Sequence, residues 1–240
     1  MAFGLAPATA DAGLTIDLRA VSLNGQPLPD GSTPESVFVN DGDQVGFEVV
    51  ARVSGTNGLD DEGFTGIHGV FRSSTGGLLG DLSTSRVAPF TGSGSQDGSQ
   101  IDIDSDGDFD IGDRVNGGQP NLYFVGRSNV TERGGVRVGT DAEEFVIGTG
   151  TWTSKAGSTG SETFLDFMKR RNPGNPGTNG TSYAQWFEDG SGTSSVRNGA
   201  SPYTVDGLHI IEVPEPGSAA LTTLAALGLL ARRRGNRDGG

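Results

Sequence analysis

Glycine sets the first limit on what this chain can fold into. It fills 41 of the 240 positions, against ~7% in ordinary proteins. Each glycine inside a helix costs ~1 kcal/mol relative to alanine, so long helices are disfavoured. No Gly-X-Y period runs through the chain, which excludes collagen. Several segments instead alternate apolar and polar residues with period 2. Leu14, Ile16, Leu18 and Ala20 alternate with Thr15, Asp17 and Arg19. Val45, Phe47, Val49, Ala51 and Val53 alternate with Gly46, Glu48, Val50 and Arg52, after an Asn40-Asp41-Gly42-Asp43 turn. This spacing puts each apolar set on one face of a strand. Further strands are predicted over 64–72, 78–87, 122–127, 145–153, 163–168, 182–187 and 203–213, separated by turns rich in Gly, Asn, Asp and Pro. No stretch before Ser218 sustains a 3.6-residue period, and 172–181 reads as a long exposed loop. The pattern predicts an all-β fold, a β-sandwich of Ig-like or jelly-roll type over 13–212. A split into two smaller sandwiches near 95–120 is the alternative.

The net charge is −13. Arg232, Arg233, Arg234 and Arg237 lie in the tail, so the body is more acidic than the whole. A body of that sign is repelled by nucleic-acid phosphates and attracts cations. There is no cysteine, which excludes disulfides, thiolate nucleophiles and Cys-ligated zinc.

The most concentrated chemistry is the run 102–113, with Asp102, Asp104, Asp106, Asp108, Asp110 and Asp113 within twelve residues. Mutual repulsion makes such a cluster unfavourable unless cations neutralise it. Counted from Asp102, carboxylates fall at positions 1, 3, 5, 9 and 12, Gly107 stands at position 6, and Asp108 supplies a backbone carbonyl at position 7. The run resembles the calcium loop of EF-hands and dockerins. That resemblance implies one bound Ca²⁺. Two features depart from the pattern: Phe109 replaces an aliphatic residue at position 8, and Asp113 replaces Glu at position 12. Residues 114–120 (Arg-Val-Asn-Gly-Gly-Gln-Pro) are poor starters of an exiting helix, and no second loop is present. The expectation is an isolated calcium loop joining strands; the alternative is a solvated acidic loop. The other acidic groups, Asp60, Asp61 and Glu62, and Asp141, Glu143 and Glu144, lack ligand spacing and read as solvated faces.

The C-terminal region carries an address. Val213-Pro214-Glu215-Pro216-Gly217 precedes an uncharged apolar run over 218–231, which ends at Arg232-Arg233-Arg234. As a helix, fourteen residues span roughly 21 Å, short of the ~30 Å bilayer core. Snorkelling arginines and local thinning can close the gap. The arginines orient the carboxyl end toward the cytoplasm and the body outside. Pro214, Glu215 and Pro216, the short apolar helix and the Arg cluster over 213–236 together resemble the PEP-CTERM sorting signal of Gram-negative bacteria, a tail also labelled an ice-binding protein C-terminal domain. The resemblance implies recognition by an exosortase, a membrane protease that processes the tail near Pro214–Pro216. It also implies export, transient anchoring in the inner membrane, and delivery to the cell surface or matrix, often alongside exopolysaccharide and biofilm. At the other end, Ala8-Thr9-Ala10 and Ala10-Asp11-Ala12 are A-x-A cleavage patterns. Residues 1–12 read as the end of a secretory leader whose start lies upstream of Met1, with a flexible N-terminal leader as the alternative.

Little points to catalysis. His68 and His209 both fall in predicted strands, no G-x-S-x-G is present, and Gly92-Ser93-Gly94 lacks a βαβ context. Trp152, Tyr183 and Trp186 are candidates for a sugar-stacking platform or for core filling. The segment 39–53 resembles the early strands of cohesin-like surface sandwiches. Taken together, the sequence predicts a non-enzymatic, exported surface or matrix protein, with a secreted carbohydrate-binding module as the alternative.

Overall fold

The computed structural model describes residues 13–29, 33–92, 95–112, 123–126, 135–158, 160–168, 184–188, 195–196 and 203–213. The leader 1–12 and the tail from Pro214 onward, including Glu215, Pro216, the expected helix and Arg232–Arg234, lie outside the described residues. No helix among the described residues is long and apolar enough to cross a membrane.

The described secondary structure is strand. In chain order the strands are β1 (Gly13–Leu23), β2 (Gln26–Pro27), β3 (Ser36–Val39), β4 (Gln44–Ser54), β5 (Gly63–Arg72) and β6 (Gly80–Arg86). There follow β7 (Gln96–Asp97), β8 (Gln100–Ile101), β9 (Asp110–Ile111), β10 (Tyr123–Gly126), β11 (Val136–Arg137) and β12 (Ala142–Ser154). The last are β13 (Glu162–Met168), β14 (Ala184–Phe187), β15 (Ser195–Val196), β16 (Tyr203–Asp206) and β17 (Leu208–Glu212). They form two sheets. The first runs β11-β12-β4-β1-β16, with β6 added to β12 and β2 to β1. The second runs β15-β14-β5-β13-β17-β3, with β7, β8, β9 and β10 attached through β5.

The alternation read from the sequence is what sets the pairing of the first sheet. Leu14, Ile16, Leu18 and Ala20 of β1 stand opposite Val53, Ala51, Val49 and Phe47 of β4, and all eight are buried. A slip of one residue would turn both apolar sets to solvent. In β12 a register shift between Val146 and Gly148 marks a bulge. It lets Phe145 face the core before the bulge, Ile147 within it and Trp152 after it.

One core fills the space between the sheets, drawn from β1, β4 and β12 on one side and β5, β13, β14 and β17 on the other. That makes the body an all-β sandwich. Aromatic rings bridge it: Phe47 meets Phe71 at 6.2 Å and Phe64 meets Phe145 at 6.3 Å between centroids, while Phe71 also meets Phe167 of its own sheet at 4.9 Å. Such pairs add ~0.5–1.5 kcal/mol beyond the area they bury.

Two expectations change. The segment 203–213 is not one strand but two. β16 pairs in parallel with β1 in the first sheet, while β17 pairs with β13 and, in parallel, with β3 in the second. The switch occurs at Gly207, where a Cβ would come within 2.7 Å of the Leu165 carbonyl oxygen. Second, Ser36–Val39 is a strand that local alternation did not single out. Its four residues are too few to show a period, and its partner lies far away in sequence.

Candidate metal centre

The aspartate run sits in a hairpin. β8 and β9 pair antiparallel, Gln100 with Ile111 and Ile101 with Asp110, so 102–109 closes between strands. Ser105 at φ 68° and Gly107 at φ 110° supply the left-handed conformations the tight loop requires. Gly107 is therefore the turn residue that its place in the spacing predicted. Phe109 turns outward: its ring lies 5.1 Å from Lys155 Nζ. Lys155 also donates to the Gly107 carbonyl at 2.8 Å and to Asp81 Oδ1 at 3.2 Å. The Phe109 amide donates to Asp81 Oδ1 at 2.9 Å, and its carbonyl accepts from the Leu82 amide at 2.7 Å. The loop is thus fastened to β6 and to the end of β12.

Two groups of carboxylates result. Asp102, Asp104 and Asp106 bring ligand atoms within 4.8 Å of one another, and Asp104, Asp108 and Asp110 do the same. Asp104 belongs to both. The first group matches positions 1, 3 and 5 of the spacing. The second departs from it: Asp108, expected to act through its carbonyl, turns its side chain inward and is 1% exposed. Asp113 lies outside the described residues.

The hydrogen bonds sort these oxygens into fastened and free. Asp110 is fully engaged: Oδ1 accepts from the Ser73 amide and Oδ2 from the Ile103 amide, each at 3.1 Å. Asp108 Oδ2 accepts from Ser73 Oγ at 2.9 Å and from the Gly80 amide at 3.0 Å. Asp106 Oδ1 accepts from the Asp108 amide at 3.3 Å, and Asp102 Oδ1 from the Ser105 amide at 2.5 Å. Asp104 Oδ2 accepts from Thr75 Oγ1 and lies 3.5 Å from Arg72 Nε. Asp104 Oδ1, Asp106 Oδ2 and Asp108 Oδ1 remain, buried and with no hydrogen-bond partner.

A buried carboxylate oxygen without a donor is costly. Burial accordingly pushes Asp108 up to about 6, despite the opposing pull of the Gly80 and Ser73 bonds and with help from the Asp106 charge. Burial pushes Asp110 up to about 7, against its two backbone amides and with the Asp108 and Asp104 charges adding to the rise. A cation held by either group, each of which includes Asp104, would offset part of that penalty. The donors are all oxygen, a set that suits hard cations such as Ca²⁺, Mg²⁺ or Mn²⁺. The residues present therefore fit a metal ion.

The remaining candidates are placed as follows. Trp152 is 0% exposed and Trp186 is 1% exposed. Both fill the core, with Trp152 packed where a Cβ on Gly80 would lie 2.0 Å from its ring. They therefore present no face on which a sugar could stack; Tyr183 lies outside the described residues. His209 Nε2 meets Glu162 Oε2 at 2.9 Å, and its ring stacks on Phe164 at 4.1 Å. His68 lies in β5. A groove lined by Ser22, Ser83, Ser85, Thr149 and Thr151 holds no titratable side chain.

The acidic runs expected to be solvated are not uniformly so. Glu62 is fully buried and Glu143 is 5% exposed, and Glu144 is held by Arg19 Nη1 and Nη2 at 2.7 and 2.5 Å. Residues 60–62 and 141–144 come together only because β4 pairs with β12, setting Val53 beside Glu143. Nothing in their local spacing signals it.

Comparison with known proteins adds little. No protein-family model matches the chain, and no curated protein matches it. Among solved structures, similarity is found to the seventh type I cohesin of ScaB from Pseudobacteroides cellulosolvens. It has 6% identity and a TM-score of 0.39, covering 84% of this chain and 92% of that one. A likeness at that level carries no functional reading.

Proposed function

We propose that this chain is a non-enzymatic, exported surface or extracellular-matrix protein whose body is stabilised by calcium. Export rests on the tail: Pro214-Glu215-Pro216, the apolar run 218–231 and Arg232-Arg233-Arg234, in that order. On this reading the tail enters the inner membrane with the body outside. An exosortase-type protease then processes the tail near Pro214–Pro216 and passes the body to the surface, where exopolysaccharide is its expected neighbour.

The observation that carries the calcium reading is the set of three unpartnered buried oxygens on Asp104, Asp106 and Asp108, within a loop of EF-hand-like spacing. Asp102, Asp104, Asp106 and Asp108 would hold the ion. Calcium suits a flexible loop because it accepts 6–8 oxygen ligands without strict geometry. The ion would supply charge neutralisation and fix the hairpin; it has no chemical step to perform. Sugar binding through the tryptophans is not advanced, because both are buried.

Two measurements test the reading. Full-length protein with its native leader, made in a PEP-CTERM-bearing Gram-negative host, is expected in the envelope or medium, and removal of 214–240 is expected to change that destination. An unchanged destination would overturn the sorting half. Addition of CaCl₂ to chelator-stripped protein is expected to raise its melting temperature, with little effect on an Asp104→Asn/Asp106→Asn variant. Identical melts of the native protein in EDTA and in calcium would overturn the other half.

A further inference from the structure

Glu62 stands immediately before β5, whereas Ser73, which braces the aspartate hairpin, stands immediately after it. Ten extended residues separate the two, about 33 Å of strand. At the Glu62 end the loop from β4 to β5 meets the first residues of β12. Asp60, Glu62 and Glu143 there bring carboxylate oxygens within 4.8 Å of one another.

Proximity alone would mean little, since acidic groups often cluster. The decisive feature is Glu62. Its side chain is 0% exposed, and neither carboxylate oxygen has a hydrogen-bond partner. No Lys, Arg or His among the described residues pairs with it. Arg137 comes only to 4.0 Å of Asp60 and spends its donors on the carbonyls of Gly139 and Thr140 at 3.0 and 2.9 Å. The Asp141 carboxyl interacts directly with Glu62, and the negative charges of Asp141 and Asp61 add to the repulsion there. Glu143 is oriented by the Gly135 amide, which donates to its Oε2 at 3.0 Å. The scaffold is also built: Gly58 donates to Asp141 Oδ1 at 3.1 Å, Gly55 to the Asp141 carbonyl at 2.9 Å, and Asn57 Nδ2 to Asp61 Oδ1 at 3.1 Å. A buried carboxylate held without a donor, among further carboxylates, is stabilised by a proton or by a cation, and three carboxylates converging on one point favour the cation. The dimensions fit one: ligands at 2.3–2.6 Å on either side of Ca²⁺ stand at most about 5 Å apart.

We propose that Asp60, Glu62 and Glu143 form a second calcium site, separate from the aspartate hairpin, which ties the loop between the two sheets to the start of β12. Because β4 belongs to one sheet and β5 to the other, an ion here pins the crossing between them. Asp60 closes the site from the solvent side, and Glu62 supplies its buried wall.

The test is a calcium count on the chelator-stripped full chain, by equilibrium dialysis with radioactive Ca²⁺ and by titration calorimetry. Native protein is expected to bind one more ion than Glu62→Gln. The hairpin variant Asp104→Asn/Asp106→Asn is expected to keep the ion that Glu62→Gln loses. That comparison separates failure of this site from failure of the hairpin. If a folded Glu62→Gln protein binds as many ions as the native one, Glu62 is merely a buried protonated acid and the proposal fails. Should Glu62→Gln not fold, Asp60→Asn serves, since Asp60 is exposed: a loss of tenfold or more in affinity for one ion supports the site, and unchanged affinity overturns it.

Discussion

At the scale of single residues, three glycines and three acids determine most of what can be tested. A Cβ on Gly80 would fall 2.0 Å from the Trp152 ring, and one on Gly150 would fall 2.2 Å from the Phe47 ring. Gly80→Ala is expected to destabilise the fold by ~1–3 kcal/mol, the usual cost of overpacking, read as a lower urea midpoint with an unchanged slope. Gly107 has open space around it but a φ of +110°, so Gly107→Ala is expected to cost ~1–3 kcal/mol through backbone strain alone. The acids set a pH dependence. Asp108, Asp110 and Glu62 have folded-state values of about 6, about 7 and about 7, against 3.8, 3.8 and 4.5 for the free groups. Raised carboxyl values favour the fold at low pH. That contribution is lost as pH climbs through the interval from the free value to the raised one, because the unfolded chain releases its protons first. Ion-free protein is therefore expected to melt higher at pH 5 than at pH 8. Calcium, which requires the ionised carboxylates, is expected to narrow or invert that order. Thermal melts at both pH values in EDTA and in CaCl₂ check it.

Among the elements, the first sheet shows what strand pairing adds. Arg19 on β1 reaches Asp17 on its own strand at 2.6 Å and, passing over β4, Glu144 on β12. The Arg19 bonds hold the Glu144 carboxyl below its usual range. All three side chains are partly exposed, so the clasp is screened. Arg19→Gln is expected to cost under ~1 kcal/mol, and less in 1 M NaCl than at low salt. The strands themselves were legible where a period could be counted: β1 and β4 by strict alternation, β5, β6, β12 and β13 by apolar content between turns. The β16–β17 break was not read, although the apolar phase shifts from Tyr203 and Val205 to Leu208 and Ile210 across Asp206-Gly207, because so short a signal does not tell a turn from a change of sheet. The pairings of β16 and β17, with Gly207 passing close beside Leu165, show where the chain changes sheets. The bulge in β12 was hidden for a similar reason, since one extra residue leaves composition unaltered.

On the scale of the whole molecule, the two proposed ion sites would link the parts. The hairpin ion would brace the β5–β6 connection through Ser73 and Gly80, and the second would brace the β4–β5 loop. An ion bound only by the folded state stabilises by RT ln(1 + [L]/Kd), ~2.7 kcal/mol at a hundredfold excess over Kd. Calcium removal is therefore expected to raise protease susceptibility first at 55–62 and 102–112, with cleavage sites read by mass spectrometry. Calcium-independent cleavage at both segments would count against either ion having a structural role. Two such ions would also lower the self-repulsion of a chain whose formal charge is −13.

The amino-acid sequence by itself determined the all-β class, the faces of the long strands and the aspartate loop. Each is written within a few residues: a period of two, or carboxylates at alternate positions around Gly107. Tertiary structure alone decided that Trp152 and Trp186 are core, that Asp108 turns inward, and that Glu62 meets Glu143 across some eighty residues of chain. Those outcomes depend on which strands pair and how two sheets close over one another. Burial and long-range contact are properties of that closure, and no local window of sequence contains them.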